Sequence, residues 1–131
     1  MIDLGKLREV MNDVSKDRGP FTLFGLFLRD EAPDKWDLVI SAPWLEEGKM
    51  KALGEFVEKL SSALGEQEVL SLSRIVTVSR DDPGLQAILR AVQVEDGPVL
   101  VRDSNFFGLQ IKEAHILRAK RPADPTPTRA V

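Results

Sequence analysis

Five residues carry the most suggestive polar chemistry in the chain: Ser41, Trp44, Ser79, Arg80 and Asp81. They fall in two short segments, Ser41-Ala42-Pro43-Trp44 and Ser79-Arg80-Asp81-Asp82. Each segment closes an apolar run of strand character and opens a stretch of helical periodicity. A helix start leaves backbone N–H groups unpaired, and a hydroxyl or guanidinium beside them adds further donors. The pattern therefore suits an anion or small polar ligand, with Trp44 as an aromatic wall. The same residues also have a purely architectural use, with Ser41 and Asp82 as helix caps, Trp44 as a rim aromatic and Arg80 as the partner of a nearby aspartate.

Other chemistries find less material. His115 is the only histidine, and Glu113, two residues before it, shares its side of a regular strand. That is the spacing of a general base with an orienting carboxylate. A single histidine rules out the common zinc sets unless carboxylates complete them. Asp30, Glu31 and Asp34 crowd a turn beside Pro33, where three carboxylates can hold a hard cation, but their spacing is that of no calcium loop and a solvated acidic turn explains them. Asp37 with Gln110-Ile111-Lys112 imitates a metal nuclease only thinly, with glutamine where an acid is needed. The nine glycines form neither G-x-G-x-x-G nor a P-loop, and no serine sits in G-x-S-x-G. Without cysteine there is no disulfide, thiolate metal site or thiol nucleophile. No catalytic residue, metal or cofactor is assigned.

Composition narrows the partners. Of 131 residues 43% are apolar and 30% charged, ordinary globular material for one domain. The formal charge of −3 argues against nucleic acid, since phosphate neutralisation needs a concentrated basic surface. Lys112, Arg118, Lys120, Arg121 and Arg129 make a local basic stretch, but only Phe106 and Phe107 interleave with it. A charged strand edge that discourages aggregation accounts for it better. The first 15 residues mix charge with apolar positions and contain no continuous apolar segment. The longest nearly uncharged runs, Pro20–Leu28 and Leu38–Leu45, are far short of the roughly 20 residues of a membrane span. A cytoplasmic protein without membrane association is the expectation.

The elements that must hold these residues follow from periodicity. Leu4, Leu7, Val10, Met11 and Val14 predict a helix over residues 3–17, capped by Asp3 and stopped by Arg18-Gly19-Pro20. Phe21, Leu23 and Phe27 alternate with Phe24, Leu26 and Leu28, so the strand Phe21–Arg29 is apolar on both faces and belongs inside a sheet. A turn at Asp30–Lys35 returns the chain as a strand from Trp36 to Ala42. A second helix runs to Leu64, before Gly65, with Met50, Leu53, Val57, Leu60 and Leu64 as its stripe. Glu66–Leu72 has room for one more helical turn. Arg74–Ser79 is a β-branched strand. Asp82 as cap and Pro83 at the first position open a third helix. Pro98–Arg102 and Asn105–Ala119 make a hairpin around Asp103-Ser104. Past Lys112 the apolar phase slips, which predicts a bulge near Lys112–Glu113.

The resulting order, αββαβαββ, predicts one α/β domain bordering on α+β, residues 1–120. It holds a mixed sheet of about five strands packed by three helices, with a flexible proline-rich tail at residues 121–131. The crossover from the second strand to the third makes them parallel neighbours if they share the sheet. Their C-terminal ends would then bring Ser41 and Trp44 beside Ser79, Arg80 and Asp81, the edge where open sheets bind ligands. Two functions follow. The one favoured by the lack of catalytic motifs is a non-catalytic module that binds a protein partner or itself. The alternative is a small-ligand or anion-binding protein, or an enzyme, using those strand ends.

Overall fold

The computed structural model describes residues 2–32, 34–47 and 49–121. The expected tail lies, from residue 122 onward, outside the described residues. Helix α1 (Leu4–Arg18) starts where the Asp3 carboxylate accepts the N–H groups of Gly5 and Lys6. It ends at Gly19, whose φ of 109° is open to glycine and whose N–H returns to the Ser15 carbonyl. Leu7, Val10, Met11 and Val14 are its buried face.

Strands β1 (Leu23–Arg29) and β2 (Trp36–Ser41) form the expected antiparallel hairpin. The described residues of the second helical stretch fall in α2 (Pro43–Glu47) and α3 (Lys49–Ala63). The extra turn after Leu64 is a short helix, α4 (Glu66–Ser71). The described residues therefore hold five helices rather than three, once α5 (Pro83–Ala91) is added with its Asp82 cap and leading proline. Strand β3 (Leu72–Thr77) begins two residues earlier than periodicity suggests, because Leu72 pairs with Trp36 directly out of α4.

Strands β4 (Val99–Phe106) and β5 (Leu109–Ala119) complete a five-stranded sheet of order β3-β2-β1-β5-β4. Only β2 and β3 are parallel, as the crossover requires; the other neighbours are antiparallel. With one parallel pair and helices gathered between blocks of strands, the single domain is α+β.

The second hairpin turns at Phe107-Gly108, not at Asp103-Ser104. Phe106 pairs with Leu109, leaving a two-residue loop in which both φ angles are positive, 57° and 74°. Asp103 also has positive φ, 48°, but inside the strand. It kinks β4 opposite Lys112, where β5 slips against β1: Leu28 faces Glu113 while Arg29 faces Ile111. The predicted bulge is thus present, and it is why Ile111, Ala114 and Ile116 all reach one core.

The central strand β1 is buried on both sides, as its two apolar faces demand. On one face Phe24, Leu26 and Leu28 meet α1 and α3 through Val10, Met11, Phe56 and Leu60. Phe21, Phe24, Trp44 and Phe56 pack edge-to-face there. On the other face Leu23 and Phe27 meet Leu85, Ile88 and Leu89 of α5. Phe21 crosses to the α1 side because it precedes the regular alternation.

Candidate functional site

The strand-end residues are distributed between two environments. Ser41 is fully buried, and its carbonyl accepts the Thr22 N–H at 2.7 Å. Trp44 packs on the α1–α3 core, donating Nε1–H to the Gly19 carbonyl at 3.0 Å with its ring edge-on to Phe21. Ser79, Arg80 and Asp81 form the exposed turn into α5. Arg80 Nε lies 4.0 Å from Glu46 Oε1, and the Arg80 carbonyl accepts the Gln86 side-chain amide. Parallel pairing therefore brings Ser79 and Arg80 beside Glu46, with a recess of about 220 Å³ lined by Leu45, Glu46, Thr77, Val78 and Ser79. It does not bring Trp44 or the Ser41 side chain into that recess. At the start of α5 the Gly84 N–H is already taken by Asp82 Oδ1 at 2.7 Å.

His115 and Glu113 do share a side: Nε2 and Oε2 are 3.6 Å apart, beyond a hydrogen bond, with Arg102 also 3.8 Å from Glu113. The imidazole leans on the Trp36 ring, centroids 5.4 Å apart. Among the described residues, no group of three or more histidine and carboxylate side chains is arranged to hold a metal ion.

The strongest polar irregularity is elsewhere. Asp37 of β2 is 3% exposed, yet it belongs to the face that meets α5. Its strand neighbours explain how a carboxylate is tolerated there. Cross-strand pairing sets Ala114, Phe27, Asp37 and Arg74 in one row over four strands. Arg74 Nε lies 3.2 Å from Asp37 Oδ2, and Arg29 Nε, one step along β1, lies 2.9 Å from the same oxygen. The Arg29 contact is an ion pair by distance; its N–H is not aligned for a hydrogen bond. Arg29 spends its Nη1 on Glu31 at 2.6 Å, and Glu31 first, then Asp37, hold its pKa above the ordinary value. Two cations converge on one oxygen, while Asp37 Oδ1 is buried with no hydrogen-bond partner among the described residues. Leaving such an acceptor unpaired costs about 1–3 kcal/mol, so a donor brought to it would be stabilising.

Asp37 also lines a cavity of about 260 Å³. Phe27, Val39, Val78 and Ile111 are its buried apolar walls; Arg74, Val76, Thr77, Asp82, Phe107 and Leu109 form the more exposed rim. The rim is unusual in its backbone. Phe107 occupies the left-handed region, costing about 1–2 kcal/mol for a residue with a side chain. Its ring is accommodated by Gly84 at the start of α5, where any Cβ would run into it, and stands 6.1 Å from the Phe27 ring. A larger recess of about 380 Å³ near Glu95 and Lys120 has those charges already paired with each other.

No family model, curated protein or solved structure matches this chain.

Proposed function

We propose that this protein is a binding domain for a small, largely apolar molecule that carries a hydrogen-bond donor. The observation that carries the reading is that Asp37, whose buried Oδ1 has no hydrogen-bond partner among the described residues, lines a cavity whose buried walls are otherwise aromatic and aliphatic. Small-ligand sites combine these two ingredients: apolar area for affinity, and one or two placed polar groups for orientation. At about 260 Å³ the cavity is of fragment size rather than drug size. The side-chain torsion that turns an aspartate carboxylate is broad, which leaves the Asp37 carboxylate free to turn toward a bound donor.

Benzyl alcohol, a ring with one donor, is a direct probe. Titrated into ¹⁵N-labelled protein, it should shift the amides of Val76, Thr77, Phe107 and Ile111 while leaving those of α1 unmoved. A Val76→Trp variant, which plugs the rim, should abolish those shifts. Unmoved cavity amides in the wild type would count against the reading.

A second reading is favoured by a different observation. Val99 and Leu100 on the edge strand β4 are 37% and 44% exposed, which suits association of the domain with a partner or with itself. The kink at Asp103 and the preceding Pro98 both interrupt strand-to-strand pairing along that edge, which is why it stands second. Light scattering would decide self-association: a dimer in the wild type that becomes a monomer in Leu100→Lys supports it.

A further inference from the structure

Resting on the reading of the Asp37 cavity as a ligand site, we infer that its ligand is an apolar α-amino acid in zwitterionic form. The argument is one of charge exchange. Asp37 sits between two guanidiniums, so a bare ammonium arriving at Oδ1 would meet Arg29 and Arg74 at the same time. A bare carboxylate would satisfy Arg74 and leave Oδ1 as it is. A molecule that presents an ammonium and a carboxylate on one carbon resolves both problems. Its ammonium donates to Asp37 Oδ1, and its carboxylate takes up Arg74.

Arg74 is the movable member of the pair. Its side chain is 49% exposed, against 17% for Arg29, and its only ion pair among the described residues is to Asp37. Swinging its guanidinium from Asp37 Oδ2 to a ligand carboxylate keeps every charge partnered, and Arg29 stays behind to hold Oδ2. The side chain of the amino acid then faces Phe27, Val39, Phe107 and Ile111, a wall with room for a branched aliphatic or a single ring and with no polar side chain among these four. Asp82, also on the lining, already accepts the Gly84 N–H, and its remaining lone pairs add negative potential for the ammonium.

The experiment compares four probes by amide shifts on the full chain: L-phenylalanine, L-phenylalaninamide, which lacks the carboxylate, hydrocinnamate, which lacks the ammonium, and benzyl alcohol. The expected result is that L-phenylalanine moves the cavity amides at the lowest concentration. Each single-charge analogue should bind at least about tenfold more weakly, the loss of one charge-assisted hydrogen bond. Arg74→Gln, an exposed change that the fold should tolerate, is expected to erase the preference for L-phenylalanine over its amide. Asp37→Asn should weaken every amine-bearing probe; should that variant fail to fold, Arg74→Gln carries the test alone. If the amide or benzyl alcohol binds as tightly as L-phenylalanine, the cavity remains a ligand site and the zwitterion assignment falls. If none of the four moves the cavity amides, the ligand site itself falls, and the assignment with it.

Discussion

Asp37 holds together two strands and two arginines that lie far apart in sequence, so its removal should be felt more than that of any surface charge. Asp37→Ala leaves the mostly buried Arg29 with Glu31 alone, and truncating one partner of a buried pair costs about 3–5 kcal/mol. Because Arg74 can turn into solvent, the lower end, about 3 kcal/mol, is expected in urea unfolding. Adding Arg29→Met should recover part of that loss, since the stranded charge goes with it. Glu68 makes a separate prediction about acid. Its carboxylate takes a hydrogen bond from Lys6 and the N–H groups of Gly65 and Asp3, and these lower its pKa from 4.5 to about 2. A carboxyl with a depressed folded value contributes stability above its unfolded pKa and loses it as pH falls through the folded one. Stability measured by denaturant should therefore decline between about pH 4.5 and 2, and Glu68→Gln should flatten that decline. Neither Asp37 nor Glu68 declared its role in the sequence. In sequence Asp37 offers only the thin imitation of a metal nuclease with Gln110-Ile111-Lys112, because the arginines that neutralise it sit on other strands. Local spacing carries no trace of a row formed only by register.

At the scale of elements, the meeting of α5 with the β4–β5 turn is the least forgiving contact. Gly84 exists there to admit the Phe107 ring, so Gly84→Ala should overpack the junction and cost about 1–3 kcal/mol by thermal unfolding. The same substitution at Gly54, where nothing lies within reach of a Cβ, should be neutral or stabilising through higher helix propensity. Element positions were largely legible where periodicity was long: α1, the two-faced strand β1, and the proline-led start of α5. The bulge at Lys112 was legible too, because a shift in apolar phase is a local signal. The turn at Phe107-Gly108 was not. Asp103-Ser104 has the composition of a turn and does adopt a turn-like φ, but the chain uses it as a kink. Phenylalanine in the left-handed region gives no warning in sequence, since its cost is met by tertiary packing of the ring.

At the scale of the molecule, the parallel pairing of β2 and β3 followed from the length of the crossover between them, and with it went the mixed character of the sheet. The candidate strand-end constellation depended on more than strand direction. It needed Trp44 to face the helix start of α5, whereas the aromatic cluster around Phe21 and Phe56 draws it to the opposite side of the sheet. Direction is set by topology; the side on which a side chain lands is set by which core has space for it. Among the described residues no helix is long and apolar enough to cross a membrane.

The sheet order has one more consequence, for the chain as it is made. Strand β1 is the centre of the sheet, but one of its two edges is filled by β5, which follows the other four described strands in the chain. Until residues 109–119 leave the ribosome, β1, apolar on both faces, presents an open row of backbone donors and acceptors. Such an edge is the template on which aggregates grow. Expression of residues 1–97 alone should yield insoluble protein, and supplying residues 98–121 as a separate peptide during refolding should recover soluble material. A soluble, monomeric fragment would mean that β3, β2 and β1 close their own edge by other means.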